Sequence, residues 1–309
     1  MSNIIFGPIH SRRFGKSLGI DLSPSKKQCN FDCLYCELDP AETMGSYDDI
    51  VSVDDVISAL QEAMKRHGLI EYITLTANGE PTLYPHLSEL IDRIDEIKGD
   101  IKTLILSNGS TISDDEISNT LLKLDVVKLS LDCATDRCMH KLDRSHKGIT
   151  IEGIMDGMLR FGSKYQKPLI IEILFVKNIN DKIAEVESLN RFLLKLRPAR
   201  IDIGTIDRPP AYRVEPLSYS ELFDVSQMFD SSLPIYISSR KSAVASPQSY
   251  KKDEIIHTLQ KRPLSDDDIE ILFDQESKDR LKELILEEDI TILSNSGINF
   301  YTFHGFHNF

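Results

Sequence analysis

The chain has 309 residues, of which 41% are hydrophobic and 28% are charged, and its formal net charge is −13. This composition is typical of a globular protein, and the length suits one large domain plus a small one, or two ordinary ones. The acidic balance argues against a uniformly basic nucleic-acid-binding surface. No apolar run reaches the roughly 18 residues that span a bilayer, and the N-terminus lacks the pattern of a signal peptide, so the sequence predicts a cytoplasmic protein.

Apolar, β-rich runs alternate with helical patterns from residue 17 to about residue 213. Such alternation predicts a parallel sheet with right-handed crossovers. We expect an α/β fold of the partial (β/α)6 TIM-barrel type, with a flat doubly wound sheet as the alternative. The predicted strands cover residues 17–22, 72–83 (a strand that runs into a turn), 102–109, 125–132, 167–178 and 199–206. The predicted helices cover residues 53–67, 86–97, 114–124, 148–162 and 184–196.

The pattern changes from Pro216 onward. A helical segment is followed by LPIYIS and by a Ser/Lys/Pro-rich stretch that is typical of a linker. Three short helical patterns and two β runs around Ser296–Gly297 then indicate a small winged helix-turn-helix-like domain. The sequence therefore predicts a barrel (1–215), a helical extension and linker (216–252), a winged-helix-like domain (253–303) and a tail (304–309).

Three of the five cysteines lie within eight residues, in the stretch QCNFDCLYCEL after the first predicted strand. Cys29, Cys33 and Cys36 have the spacing C-x3-C-x2-C, with no second pair nearby to complete the four ligands of a structural zinc site. Thiolates also bind iron–sulfur clusters, and three of them on a [4Fe–4S] cube leave one iron without a protein ligand. That open iron could bind a substrate or cofactor, so the pattern favours a catalytic cluster.

The cysteine motif, with the aromatic Tyr35 just before its last cysteine, resembles the signature of radical S-adenosylmethionine (radical SAM) enzymes. The resemblance covers about residues 1–213 and implies that the three cysteines bind one [4Fe–4S] cluster whose open iron binds S-adenosylmethionine. In this family an electron donor such as flavodoxin or ferredoxin reduces the cluster, and a 5′-deoxyadenosyl radical then abstracts hydrogen from the substrate. The resemblance thus implies an enzyme whose cofactors carry out the radical step.

The resemblance also implies which residues contact S-adenosylmethionine. Gly79-Glu80-Pro81 matches the motif that holds the methionine amino group in this family, and Tyr35 would lie against the adenine. The positions implied for the methionine carboxylate and the ribose are Ser107, Asn108, Gly109, Ser130 and Asp132. The strand-end positions lie where barrel active sites assemble.

Two further stretches, GPIHSRRFGKSLGIDLSP and IDRPPAY, are similar to a branch of the superfamily described as wyosine-synthase-like Fe–S oxidoreductases. Wyosine synthases modify a tRNA guanosine and use a second cluster on extra upstream cysteines, whereas this chain has no cysteine before Cys29. The resemblance therefore implies the fold and the radical step without fixing the substrate.

Cys133 and Cys138 follow the fourth predicted strand, near the expected barrel mouth. They could ligate a second cluster, relay hydrogen as a thiol or form a redox pair, and they could equally be ordinary loop cysteines. Cys133, which comes directly after the strand, is the catalytic candidate.

Several cations could contact a phosphate or another substrate anion, although charged runs are more often only solvated. The N-terminal candidates are Arg12, Arg13, Lys16, Lys26 and Lys27, and the later ones are Arg144 and Arg208. His304 and His307 in the tail are weak metal candidates.

Three functions remain open on these observations. An RNA nucleoside, as in tRNA modification, is favoured as the substrate by the family branch and the basic N-terminal segment. A protein side chain or small metabolite is favoured by the acidic surface and by the acidic C-terminal segment, which could bind a protein partner. A redox-sensing, DNA-binding regulator is the third, but DNA phosphates would repel an acidic recognition helix.

Overall fold

The computed structural model describes residues 4–11, 14–237, 247, 249–261, 263–295 and 298–303. Eight strands form one sheet whose spatial order follows the chain. They are β1 (Ile5–Ser11), β2 (Gly15–Asp21), β3 (Tyr72–Thr76), β4 (Lys102–Ser107), β5 (Val126–Ser130), β6 (Leu169–Phe175), β7 (Arg200–Thr205) and β8 (Ile235–Ile237). β1 pairs antiparallel with β2, and every later neighbouring pair is parallel.

Helices connect the parallel strands. They are α1 (Val53–Arg66), α2 (Leu87–Ile97), α3 (Asp115–Leu121), α4 (Asp136–Leu142), α5 (Ile151–Lys164), α6 (Ile183–Leu196) and α7 (Tyr219–Ser226), with a short 3-10 turn at Pro81–Leu83. In α1 the buried Val53, Val56, Ile57 and Leu60 repeat at helical spacing, and the Ser52 hydroxyl caps the first turn. Within the described ranges, no helix is both long and apolar enough to cross a bilayer.

The sheet is an open barrel. β1 and β8 are the two ends of the strand order and do not pair with each other within the described part of the chain. Fully buried aliphatic side chains such as Leu75, Leu129, Ile171 and Ile203 form the centre of its core. All six predicted strands are present as β2 to β7, so the predicted partial barrel is confirmed.

Three elements are not evident from the sequence pattern. β1 contains Pro8, which lacks an amide hydrogen and is tolerated only at a sheet edge. β8 lies in LPIYIS, which the sequence assigns to the extension before the linker, and it has only three residues. α4 has seven residues, too few to show a clear helical period.

The C-terminal segment forms a second, smaller core. Its elements are α8 (Lys252–Lys261), β9 (Leu264–Ser265), α9 (Asp266–Leu272), α10 (Gln275–Leu286), β10 (Ile290–Asn295) and β11 (Ile298–Phe303). The strands form an antiparallel sheet in the order β10-β11-β9. Ile255, Leu259, Phe273 and Leu284 are buried at its centre. The three helices and two long strands match the predicted elements, while the winged-helix assignment stays a prediction; Ser296–Gly297 lies outside the described residues.

Side-chain contacts join this segment to the barrel. Arg66 Nη1 lies 2.7 Å from Glu254 Oε1, and the Tyr250 hydroxyl donates to the carbonyl of Pro8. Arg208, after β7, places its Nη2 3.9 Å from Asp268 Oδ2 of α9. These contacts join residues that lie far apart in the sequence, so they form only in the folded tertiary structure.

Candidate active site

The cysteine loop, residues 22–52, crosses the carboxyl ends of the parallel strands between β2 and α1. The amide of Asp32 donates to the carbonyl of Asp143 at 2.9 Å, and the amide of Leu34 donates to that of Leu142 at 2.8 Å. These bonds fasten the centre of the loop to the end of α4. A long loop held in this way can present several side chains at fixed positions.

Gln28, directly before the first cysteine, fastens the start of the loop to the end of β3. Its amide donates to the carbonyl of Asn78 at 2.8 Å, and its carbonyl accepts from the amide of Glu80 at 3.0 Å. Gly79, between them, has φ +141°, and a Cβ there would lie 1.8 Å from the Gln28 carbonyl oxygen. Only glycine permits this approach of the two backbones.

Cys29, Cys33 and Cys36 are half-buried in this loop and carry free sulfurs. Burial raises the pKa of all three thiols, and with the Glu80 charge it raises that of Cys29 to about 12. Such thiols keep their protons at neutral pH unless a metal displaces them.

The number and type of donors in this loop bear on which metal centre it can hold. Among the described residues, only a different group brings three ligand atoms within 4.8 Å of one another. A structural zinc ion is closed by four protein ligands, whereas three thiolates can hold a [4Fe–4S] cluster and leave one iron open. The three free thiols therefore fit a [4Fe–4S] cluster.

The carboxylate of Glu80 joins the ends of β3 and β4. Its Oε1 accepts from the Thr82 amide (2.9 Å), the Thr82 hydroxyl (2.6 Å) and the Ser107 hydroxyl (2.7 Å). Its Oε2 accepts from the amide of Asn108 at 2.6 Å. The side chain is buried and its acceptor positions are taken up by the protein, so Glu80 shapes the two strand ends.

Asn108 links that network to the cysteine loop. Its side-chain amide donates to Asn30 Oδ1 at 2.8 Å and lies 3.9 Å from Cys29 Sγ. Its Oδ1 accepts from the amide and hydroxyl of Ser110, and Asn30 in turn donates to that hydroxyl. Asn30 is a site residue that the sequence reasoning missed, although its place directly after a cysteine ligand was an available indication.

A small cavity lies beside Asn108, at the ends of β4 and β5. It brings together five residues that the sequence assigns to the site. They are Tyr35, Asn108, Ser130, Asp132 and Cys133. The other lining residues are Phe31, Leu131, Met139, Asp143, Ile151 and Ile154. Gly79, Glu80 and Ser107 do not line the cavity. Glu80 and Ser107 influence it indirectly, because they help to position Asn108.

Asp132 fixes the position of Tyr35 in this cavity. The Tyr35 hydroxyl donates to Asp132 Oδ2, while Asp132 Oδ1 accepts from the amide of Leu174 at 2.7 Å. Burial raises the pKa of both side chains. The ring of Tyr35 is therefore held in a defined orientation, as a residue that stacks on a base requires.

Asp143 is a second buried carboxyl group in the same wall. Its Oδ1 has no hydrogen-bond partner within the described part of the chain. Burial and the charge of Asp132 raise its pKa, so the two carboxyl groups do not both ionise readily. Sequence reasoning missed Asp143 because it follows the short helix α4. An unpartnered buried oxygen in a cavity wall is a place where a bound group can donate.

Charged side chains line the barrel interior on the same face of β5 as Ser130. Lys128 Nζ lies 2.6 Å from Glu172 Oε1 and 3.2 Å from Asp202 Oδ2. Arg200 Nε lies 2.8 Å from Asp202 Oδ1. Sequence reasoning missed this ionic cluster, although single charged residues inside apolar parallel strands are unusual and indicate it.

Cys133 and Cys138 form a disulfide, with Cα atoms 5.5 Å apart. The disulfide is compatible with the redox pair that the sequence leaves open, and the redox role itself stays a prediction. A ligand role in a second cluster, or a free thiol, would require the disulfide to open first. Both residues are buried, and their sulfurs with the Glu185 carboxylate are the group within 4.8 Å noted above.

Three of the seven candidate phosphate-binding cations form ion pairs of 3.0 Å or shorter within the described residues. The pairs are Lys26 with Asp48 (2.5 Å), Lys27 with Asp32 (3.0 Å) and Arg208 with Glu37 (3.0 Å). The Lys27 and Arg208 side chains are largely buried in their pairs, whereas the Lys26 pair is exposed. Arg12, Arg13, His304 and His307 lie outside the described residues.

The Arg144 side chain is 44% exposed at the rim of the cysteine loop. It lies 4.7 Å over the ring of Tyr212 and 3.4 Å from Asp32 Oδ2. Stacking on an aromatic ring fixes a guanidinium while leaving its edge available to a ligand.

Comparisons with known proteins agree with this geometry. A family model described as the Radical SAM superfamily matches residues 24–190. A UPF0026 protein of Helicobacter pylori (strain J99) is 39% identical over 300 residues, or 96% of this chain and 97% of that protein. A GTP 3′,8-cyclase of Campylobacter jejuni is 27% identical over 253 residues, or 78% of this chain and 72% of that protein. The crystal structure of a radical SAM methyltransferase from Sphaerobacter thermophilus has a TM-score of 0.57 at 15% identity, over 72% of this chain and 66% of that one, which shows a shared fold.

The matched family region includes the cysteine loop and the strand ends that surround the cavity. Radical SAM enzymes bind S-adenosylmethionine and a [4Fe–4S] cluster; the three free thiols fit the cluster, and the polar groups at the strand ends fit S-adenosylmethionine. The chain therefore belongs to the radical SAM superfamily.

Proposed function

We propose that this radical SAM enzyme acts on a nucleoside base, either in RNA or in a free nucleotide. The observation that carries the proposal is that one residue, Asn108, connects the cysteine loop with the cavity. Asn108 is fixed by Glu80, approaches Cys29 with its side-chain amide and lines the cavity. Cluster, cofactor and substrate would therefore meet at one strand end.

The chain's own residues hold and orient the bound groups. Cys29, Cys33 and Cys36 would hold the [4Fe–4S] cluster, which with S-adenosylmethionine supplies a 5′-deoxyadenosyl radical. Tyr35, fixed by Asp132, would present its ring to the adenine. Glu80 and Ser107 set the backbone of the β4 end, where Asn108 would meet the methionine part.

Apolar side chains close the remainder of the cavity. Phe31, Met139, Ile151 and Ile154 line it from the cysteine loop, α4 and α5. An apolar wall excludes water, which would otherwise donate hydrogen or compete for polar groups. The chain therefore combines a few fixed polar groups with a dry surface, as ligand cavities do.

A nucleoside substrate is supported by several observations of different kinds. A relative with 27% identity is named for a reaction of GTP. The ionic cluster in the barrel interior suits a polar substrate, and Arg144 would meet a phosphate at the rim. The predicted wyosine-synthase-like branch points to RNA, whereas the paired Lys26 and Lys27 leave fewer cations for an RNA backbone.

A second candidate function is modification of a protein side chain or a small metabolite. The first turn of α9 carries three consecutive aspartates, Asp266–Asp268, which suit a basic protein partner. In both candidates residues 253–303 would be a winged-helix-like domain that recruits the substrate or its carrier. A flavodoxin or ferredoxin would reduce the cluster. The same aspartates count against a DNA-binding regulator.

The radical step is tested by replacing one cluster ligand. With the cluster reconstituted, we expect the wild-type chain to convert S-adenosylmethionine to 5′-deoxyadenosine under dithionite. We expect Cys29→Ala to lose this activity together with most of its iron, because two thiolates do not hold the cluster. The matched control is Glu42→Gln, an exposed change in the same loop. Full cleavage by Cys29→Ala with a loaded cluster would contradict the assignment.

The substrate class is tested by comparing cells with and without the gene. Mass spectrometry of total tRNA nucleosides would show a missing modification if RNA is the substrate. If the profile is unchanged, the purified enzyme is offered GTP and its consumption is followed. Negative results in both assays would direct attention to the protein or metabolite alternative.

A further inference from the structure

We infer that Cys133 and Cys138 are a redox-active pair, and that in the dithiol form Cys133 donates a hydrogen atom to a carbon radical in the neighbouring cavity. The inference rests on the proposed function, because that function supplies the radical. Cys133 directly follows Asp132 and lines the cavity, whereas Cys138 lies one turn into α4, behind it.

The segment that carries both cysteines is held in place without the disulfide. Glu185, in the first turn of α6, accepts from the amides of Ala134 and Thr135 and from the Thr135 hydroxyl at 3.1 Å. The Thr135 hydroxyl also accepts from the amide of Cys138 at 3.2 Å. With this support the bond can open and close while the sulfurs stay near each other.

The disulfide is not placed where a structural staple would be most useful. It spans a sequence separation of 5, and a short closed loop removes less entropy from the unfolded chain than a long one. It also lies at a cavity wall. A local bond beside a reactive site is therefore better explained by chemistry than by stability.

The surroundings favour the protonated form of the reduced pair. Both cysteines are buried, and the Glu185 carboxylate lies within 4.8 Å of both sulfurs. Burial and a nearby negative charge both disfavour a thiolate. The reduced pair would therefore keep S–H bonds, which are weaker than most C–H bonds and can yield a hydrogen atom to a carbon radical.

The hydrogen atom of the Cys133 thiol forms a C–H bond with the carbon radical and leaves a sulfur radical. That sulfur bonds to the Cys138 sulfur as the second thiol loses its proton, and the surplus electron passes to a one-electron acceptor of the flavin or iron–sulfur class. A dithiol reductant then supplies two electrons and two protons to open the disulfide.

Redox activity is tested on the full chain by trapping its thiols. The folded protein is treated with dithiothreitol without denaturant, quenched in acid, alkylated in urea and digested. We expect the peptide that contains Cys133 and Cys138 to gain two alkyl groups after treatment and none before it. A bond that opens only after the chain has been unfolded would overturn the inference.

Hydrogen donation is tested without a known substrate. The enzyme is reduced in D₂O, freed of dithiothreitol and supplied with S-adenosylmethionine and dithionite, and the deuterium content of the 5′-deoxyadenosine is measured. We expect Cys133→Ser to lose most of the deuterium found with wild type, because its O–H bond is too strong to donate. Cys138→Ser keeps the Cys133 thiol and retains the label.

The outcomes separate this inference from the proposed function. Equal deuterium per 5′-deoxyadenosine in wild type and Cys133→Ser would overturn hydrogen donation while leaving the radical SAM assignment intact. If wild type forms no 5′-deoxyadenosine, hydrogen donation falls together with the proposed function, and the alkylation result alone decides whether the pair is redox-active. Equal iron content and far-UV circular dichroism confirm that the serine variants fold.

Discussion

The buried Glu80 carboxylate connects the two strand ends that a bound cofactor would contact. Four donors converge on its two oxygens, from Thr82, Ser107 and Asn108. Hydrogen bonds to a charged acceptor contribute about 1.5–3 kcal/mol when their loss leaves a donor unpaired. The functional consequence is indirect, because Glu80 acts by holding Asn108.

We therefore expect Glu80→Gln to lower the free energy of unfolding by about 2 kcal/mol. In the wild type, the Ser107 hydroxyl and the Asn108 amide each donate to one oxygen of the Glu80 carboxylate. Whichever way the glutamine amide is turned, its N–H group faces one of these donors instead of accepting from it. We also expect the affinity for S-adenosylmethionine to fall about tenfold or more, because Asn108 would lose its fixed orientation. A loss of about 1.4 kcal/mol in binding free energy already lowers the affinity tenfold. Urea unfolding and equilibrium dialysis measure the two changes. Glu89→Gln, exposed on α2, is the matched control, and equal losses in both variants would exclude the proposed role.

Single residues also show how much of the candidate site could be predicted from the sequence. The resemblance to the radical SAM signature implied Tyr35, Asn108, Ser130 and Asp132 as cofactor contacts, and the structure brings these four residues to one cavity. Asp143 was not accessible in this way, because its position depends on how α4 packs against the cysteine loop. Its contribution is a tertiary property that no local pattern encodes.

At the level of elements, the register of the parallel strands depends on polar contacts at their starts. Asp125, just before β5, accepts from the Thr103 amide of β4 at 2.9 Å and from Lys98 Nζ at 3.1 Å. Burial alone would raise the pKa of Asp125, but the Thr103 hydrogen bond and the Lys98 charge outweigh it and lower the pKa to about 2. The charged form therefore stabilises the pairing of β4 with β5.

This shift predicts an acid-dependent loss of stability. The folded pKa of about 2 lies below the unfolded value of about 3.9, so the contribution is full above about pH 4 and is lost as pH falls toward 2. We expect Asp125→Asn to destabilise the chain by about 1 kcal/mol at pH 7, since the group is partly exposed. The difference from wild type should narrow between pH 4 and pH 2 in urea titrations of the cluster-free chain. The exposed Asp100→Asn is the control, and a difference independent of pH would contradict this explanation.

The elements themselves were predictable to different degrees for physical reasons. Long apolar runs fixed the six central strands, because strands buried on both faces need continuous apolar sequence. β1 and β8 lie at the sheet edges, where fewer side chains must be apolar, and so they lack that pattern. The disulfide between Cys133 and Cys138 depended on where α4 begins relative to β5, which the sequence pattern does not give.

For the whole molecule, Arg208 connects three parts of the chain at one point. It follows β7, its Nη1 lies 3.0 Å from Glu37 Oε1 in the cysteine loop, and its Nη2 lies 3.9 Å from Asp268 Oδ2 in α9. Its side chain is only 14% exposed, and the neighbouring carboxylates raise its pKa against the effect of burial. Glu37 comes directly after Cys36, so the cation joins the cluster site to the C-terminal segment.

We therefore expect Arg208→Met to weaken both the C-terminal attachment and the cluster. The change removes the cation from a partly buried carboxylate, so we expect a cost between about 1 kcal/mol, as for an exposed pair, and about 3–5 kcal/mol, as for a fully buried one. A loosened loop around Cys36 should release iron faster in air, which is measured as the loss of absorbance near 400 nm. The midpoint of urea unfolding should also fall. The matched control is Arg93→Met, which removes the exposed pair with Asp54 and should cost less than about 1 kcal/mol. If Arg208→Met lost stability but retained iron like wild type, the C-terminal segment would be attached through Arg208 without influencing the cluster site.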